Sequence, residues 1–152
     1  MTARPAALVT GARRGIGRAI CTALATKGFD IVAADIAMDG VTETEAAVHA
    51  AGGRFAFVDC DVADIAGHAA VVETAWAWFG GLECLVSNAG VGALKRGDLL
   101  EMTPESWDRC FGINTRGTFF LAQAVALLAS GALPFSTGDS FHIDGGLHVH
   151  RL

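Results

Sequence analysis

Thr10-Gly11-Ala12-Arg13-Arg14-Gly15-Ile16-Gly17 sets three glycines in a G-x-x-x-G-x-G run, after an apolar stretch and before a segment with helical spacing. Glycines in such a turn let the backbone come close to a bound group, and the open N–H groups of the following helix favour negative charge. The chemistry on offer is a cradle for a pyrophosphate. This spacing is not the common G-x-G-x-x-G pattern, and a glycine-rich turn that binds nothing is the competing reading. Asp35 lies 18 residues past Gly17, at the end of the next apolar run. A carboxylate there can accept both hydroxyls of a ribose and repels a 2′-phosphate, which points to NAD rather than NADP. An ordinary turn aspartate is the alternative, and Arg13 and Arg14 complicate the choice because either could reach a phosphate. Asp61-Val62 follows a third apolar run, where an adenine ring has room. Ser87-Asn88-Ala89-Gly90 follows a fourth, and its small residues leave space for a nicotinamide ribose. Singly, each is turn chemistry. In this order, each at the end of an apolar run, they are hard to assign to chance.

The elements that must carry these residues alternate. Strands are expected at Ala6 to Thr10, Asp30 to Ala34, Phe55 to Val58 and Leu82 to Ser87, with a last short one at Ser140 to Ile143. Between them, helical spacing runs over Gly15 to Lys27, about Val41 to Ala51, and Ile65 to Phe79 with Asp64 as N-cap. Gly28, Gly52-Gly53 and Gly80-Gly81 close these helices. Thr103-Pro104 opens a further helix, Thr as N-cap and Pro at the first helical position, and helical character continues, with or without a break, to Ala129. Strands alternating with helices of this length predict βαβ units and a parallel sheet covered on both faces. In such sheets ligands bind beyond the carboxyl ends of the strands, where the four segments fall.

Composition narrows the class. One domain spanning residues 1–152 suits the length. With 52% hydrophobic residues, disorder is excluded. With 11 basic against 16 acidic residues and no basic run, nucleic acid is not an expected partner. No apolar stretch is long enough to span a bilayer, and no secretory signal opens the chain. Cys21, Cys60, Cys84 and Cys110 lie far apart without a C-x-x-C, which suggests reduced thiols and a cytoplasmic setting. His148 and His150 resemble a metal pair but have no third ligand nearby, so no metal site is expected.

As an ordered set, the Thr10–Gly17 loop, Asp35, Asp61-Val62, Asn88-Ala89-Gly90, Asn114 in FGINTRGTFF, Thr137-Gly138 and Ile143-Asp144-Gly145-Gly146 resemble the short-chain dehydrogenase/reductase family. Within it, the chain is most similar to 3-ketoacyl-acyl-carrier-protein reductases. The resemblance covers Pro5 to about Ala126 and again about Ala124 to Leu152. It implies a Rossmann-type doubly wound α/β fold, here truncated to about five strands. It implies hydride transfer between NAD(P) and a carbonyl or alcohol carbon. It also implies cofactor contacts at Gly11, Arg13, Arg14, Gly15, Ile16, Gly17, Asp35, Asp61, Val62, Asn88, Ala89 and Gly90.

The family's acid/base is a tyrosine with a lysine four residues later, joined by a serine and an asparagine that supports a water relay. Asn114 matches the asparagine, the one retained catalytic position. The chain contains no tyrosine, and Lys27 and Lys95 lie outside the segment where a Tyr-x-x-x-Lys pair belongs. About 1–126 reads as the cofactor-binding half. About 124–152 reads as the end of the family's last helix, its last strand and its tail, the two joined at Ala124-Val125-Ala126. The missing part amounts to two βαβ steps, roughly 60 residues. Three readings stay open: a short-chain oxidoreductase of negligible activity, a non-catalytic dinucleotide-binding remnant, and a full-length reductase whose internal segment is missing from this sequence. A crossover through the joined helix would place the last strand beside strand four, in order 3-2-1-4-5. The resemblance also implies that a homodimer would form through the C-terminal end.

Overall fold

The computed structural model describes residues 4–129. The elements are β1 (Ala6–Thr10), α1 (Gly15–Thr26), β2 (Asp30–Asp35), α2 (Val41–Ala50), β3 (Phe55–Asp59), α3 (His68–Phe79), β4 (Cys84–Val86), α4 (Pro104–Phe111) and α5 (Thr118–Ala129). The four strands form one parallel sheet in the order β3-β2-β1-β4. This is the alternating α/β architecture that the sequence predicts. The expected fifth strand, Ser140 to Ile143, lies outside the described residues, as do His142, Asp144, His148 and His150.

Period-two alternation in the central strands feeds two cores. Leu8, Val32 and Val58 point to one face and pack with Val72 of α3 and Leu121 of α5. Val9, Ile31 and Ala33 point to the other and pack with Cys21 and Ala25 of α1 and Val48 of α2. β1 and β2 are buried along their whole length, whereas the three residues of β4 are half-buried. The sheet is therefore doubly wound, with β4 as its thinnest member.

Two expectations need correction, and an open one is settled. Asp64 makes no capping bond; a single 3₁₀ turn, Ile65–Gly67, precedes α3, which begins at His68. The turn is organised by Asp61 instead, whose Oδ1 accepts from the Ala63 amide at 2.9 Å and whose carbonyl accepts from the Asp64 amide at 3.0 Å. Strand four is shorter than Leu82 to Ser87, because Ser87 onward turns to meet β1. The last helical stretch, left open as to a break, is interrupted by a π turn at Gly112–Gly117, and Ala124-Val125-Ala126 lies inside α5. Thr103 does cap α4, its hydroxyl accepting from the Ser106 amide at 3.2 Å.

Three segments of the chain meet at one buried carboxylate. Asp30, fully buried at the start of β2, receives the Arg54 amide at 2.9 Å and its Nε at 2.8 Å, with Arg4 Nε at 3.2 Å. Burial pushes the Asp30 carboxyl up, but the hydrogen bonds and charge of Arg54, with the charge of Arg4, more than offset it and hold it below the ordinary value.

Candidate functional site

At the carboxyl end of the sheet lies a cleft of about 480 Å³, within the range of small-molecule sites. Its floor is the turn after β1. Gly11 and Gly15 adopt φ of +65° and +56°, left-handed conformations that glycine takes without steric cost. Gly17 is tighter: an added Cβ would lie 2.0 Å from the Gly11 carbonyl oxygen. Only glycine lets the first turn of α1 fold back against the end of β1. Arg14, at the N-cap of α1, is extended and supplies no capping side chain. The first-turn N–H groups, among those without an intrahelical partner, open on the cleft. Gly11, Arg13, Arg14, Gly15, Ile16 and Gly17 all line it.

The turn is held from behind by residues with no motif. Thr44, fully buried in α2, donates its hydroxyl towards the Ala12 and Arg13 carbonyls, both at 3.1 Å. Arg18 donates through Nη2 to the Arg13 and Gly40 carbonyls at 2.8 and 2.9 Å. Sequence reasoning missed both, because a threonine in a polar run, TETE, carries no signal of burial.

Asp35 forms one wall. Its Oδ1 accepts from the Ile36 amide at 2.9 Å and lies 3.2 Å from Arg13 Nε, while Oδ2 accepts from the Arg13 amide at 3.2 Å. Three of the roughly four acceptor positions of a carboxylate are thereby used. This narrows the expectation that it takes two ribose hydroxyls: with Arg13 in place, one position on Oδ2 stays open. The Arg13 guanidinium is also paired with Asp39, so one cation sits between two carboxylates.

Asp61, Val62 and Cys60 form the adjoining wall. Val62 is fixed twice: its carbonyl accepts from buried His68 Nε2 at 3.0 Å, and a Cβ on Gly117 would lie 2.1 Å from that oxygen. The carbonyl only accepts, so Nε2 donates here; Nδ1 is buried with no partner among the described residues. The Cys60 thiol is pushed up to about 11, first by burial and then by Asp61, Asp59, Asp35 and Asp64. It stays protonated at neutral pH and is no nucleophile.

Asn88, Ala89 and Gly90 complete the cleft opposite Asp35. Asn88 Nδ2 donates to the Thr10 and Gly11 carbonyls at 2.9 and 3.1 Å, so this amide holds the glycine turn. Ile36, Val91, Arg109 and Ile113 also line the cleft and were not singled out by sequence. Asn114 does not line it. Its Nδ2 donates to the Val91 carbonyl at 2.9 Å and its Oδ1 accepts from the Val91 amide at 2.8 Å, so both ends of the side chain hold the loop after β4. All twelve predicted contact positions thus share one cleft, and Asn114 stands behind it. Among the described residues no cluster could hold a metal ion, and no helix is long and apolar enough to cross a membrane.

A parallel sheet in this order, with a glycine-rich turn after β1 and a carboxylate ending β2, is a Rossmann-type α/β unit. The chain belongs to the short chain dehydrogenase family, whose sequence profile matches residues 5–131. It is 41% identical over 120 residues to a 2-dehydro-3-deoxy-D-gluconate 5-dehydrogenase of Dickeya dadantii (strain 3937), covering 79% of this chain and 46% of that one. A crystal structure of 3-oxoacyl-[acyl-carrier protein] reductase from Brucella melitensis in complex with NAD superposes with a TM-score of 0.79 at 44% identity, over 89% of this chain and 53% of that one. A metagenomic short-chain oxidoreductase in complex with NADP superposes with a TM-score of 0.77 at 33% identity, over 86% and 58%. The chain spans about half the length of the relatives it matches.

Proposed function

We propose that this chain is a single nicotinamide-dinucleotide-binding domain that keeps the family's cofactor site and, as written, has negligible oxidoreductase activity. The observation that carries the reading is the convergence of the glycine turn, Asp35, Asp61-Val62 and Asn88-Ala89-Gly90 on one cleft. The residues fit the group. The close-packed Gly11–Gly17 turn and the uncapped start of α1 suit a pyrophosphate, and the open acceptor on Asp35 suits a ribose hydroxyl. The small residues after β4 leave space for the nicotinamide ribose. NAD is favoured over NADP because the Arg13 charge is already met by Asp35 and Asp39, leaving Arg14 alone to offset a 2′-phosphate. When bound, the dinucleotide supplies a hydride acceptor or donor.

The chain's own residues bind and orient it but do not complete the chemistry. No tyrosine is present to move the proton, and no lysine stands where the family's would. General acid–base catalysis contributes about 10²–10⁴-fold, and Asn114 does not supply it, its amide being used on Val91. The test is a paired assay on the purified chain: enhancement of NADH fluorescence on binding, and NADH consumption across a panel of small ketones and β-ketoacyl thioesters. Binding without consumption is expected. Consumption at the rate of an ordinary reductase overturns the reading.

The relatives' length supports a second reading, a full-length carbonyl or 3-ketoacyl reductase from which an internal segment is missing here. The intact mass of the natural product decides between them: the mass of 152 residues supports the remnant, and a much heavier species supports the reductase. A homodimer through the C-terminal end, which lies outside the described residues, completes the proposal and is checked by sedimentation equilibrium at twice the chain mass.

A further inference from the structure

The loop that follows β4 has no strand to hold it. β4 is three residues long and pairs with β1 on one side; among the described residues nothing pairs with its other edge. Yet Gly90 and Val91 of that loop line the cleft at the end away from Asp35. α4 and the π turn after it lie along the loop and bond to it in sequence. Ser106 Oγ accepts from the Leu94 amide at 3.0 Å, Arg109 Nη1 donates to the Gly92 carbonyl at 3.1 Å, and Asn114 closes on both backbone groups of Val91. Reading up the helix, the loop residues met are 94, 92 and 91, so loop and helix run antiparallel. Ser106 is buried, and the Thr103 cap bonds to the Ser106 amide itself, which fixes the top of the clasp. None of this backbone sits in regular structure, and its amides and carbonyls need partners that the sheet does not supply.

We propose that Ser106 and Arg109 are positioning residues for the nicotinamide half of the cleft, holding the loop of Gly90 and Val91 at the distance the second ribose requires. The inference rests on the cofactor reading above. The first ribose belongs with Asp35 and the pyrophosphate with the glycine turn, so the clasped loop serves the far nucleoside alone. The clasp's hydrogen bonds go to Val91, Gly92 and Leu94 and not to the glycine turn or Asp35, so its loss leaves the adenosine half intact.

The experiment is a calorimetric titration of the full chain, of Ser106→Ala and of Arg109→Met, each with NADH and separately with AMP. Each variant removes one hydrogen bond to the loop, and NADH affinity is expected to fall about fivefold. AMP affinity changes by less than about twofold, because AMP reaches only the Asp35 side. Equal losses for both ligands overturn the proposal by showing general loosening, and so do variants that bind NADH like the parent. A parent chain that binds neither ligand overturns the cofactor reading, and is told apart by needing no variant. Hydrogen exchange of the Leu94 amide in the parent is a check free of any folding defect: slow exchange supports the clasp, and exchange at the rate of an open loop contradicts it.

Discussion

The Thr10 hydroxyl accepts from the backbone amides of Asn88 and Ala89, both at 3.0 Å, and Asn88 Nδ2 donates to the Thr10 carbonyl at 2.9 Å. Asn88 thus gives both its main-chain and its side-chain amide to Thr10, 78 positions away. They weld the ends of β1 and β4 and set the gap in which a dinucleotide would lie.

Replacing Thr10 by Val keeps the shape and removes the oxygen. Two amides in a half-buried site then lose their acceptor, and the chain should be destabilised by about 1–3 kcal/mol. Urea denaturation measures this, and a change below about 0.5 kcal/mol, the ordinary scatter of surface substitutions, contradicts the assigned role.

Two glycines of the cleft separate conformation from space. Gly17→Ala drives a Cβ to 2.0 Å from the Gly11 carbonyl, a backbone atom with no freedom to move aside. NADH binding should be lost below detection by fluorescence titration. At Gly15, φ is +56° but an added Cβ meets nothing within 4 Å. Gly15→Ala should cost only the left-handed strain, about 1–2 kcal/mol, and retain binding.

Most of the frame was legible in the sequence because each level pointed the same way. β1 matches its apolar run at both ends, and glycines with positive φ at 28, 52 and 80 follow the helices they were expected to end. The twelve cleft positions were legible because glycine turns and strand-end carboxylates have a distinctive chemistry. What stayed hidden was tertiary. Thr44 and Arg18 brace the glycine turn only because α2 packs against it, a relationship 26 residues apart that no local pattern carries. The π turn settled an open question about a break, and the bonds of Asn114 to the Val91 backbone depend on a helix register that no local pattern carries. Arg109, which no motif singled out, lines the cleft.

Asp35 and Arg13 form the pair on which dinucleotide preference should turn. Asp35→Ser removes the acceptor and frees the Arg13 guanidinium from one of its two carboxylates. The ratio of NADH to NADPH affinity should fall by about tenfold, the change that about 1.4 kcal/mol of lost discrimination gives. Competition titration of both reduced dinucleotides measures it; an unchanged ratio contradicts the assignment.

The pH dependence of stability follows from shifted groups of both signs. Burial pushes the thiols of Cys21 up to about 12 and Cys60 up to about 11, and raises Cys84 as well, from a reference of 9.0. The unfolded chain therefore loses these protons first. Their contribution is full below pH 9.0 and declines as pH rises through about 11 to 12. Asp30 has the opposite sign: held below its reference of 3.8, it contributes above that pH and is lost as pH falls through its folded value. Thermal midpoints should be level across the neutral range and fall on both flanks. Cys60→Ala should flatten part of the alkaline fall, and Arg54→Met should remove the advantage seen above pH 3.8.

The central claim is that the cofactor site survives in a chain half the length of its relatives. Isothermal titration of the purified chain with NADH, and with NADPH in a matched run, tests it most directly. The account predicts saturable one-to-one binding of NADH, tighter than that of NADPH. Heats no larger than dilution for both dinucleotides, from a chain that still unfolds cooperatively, would contradict it.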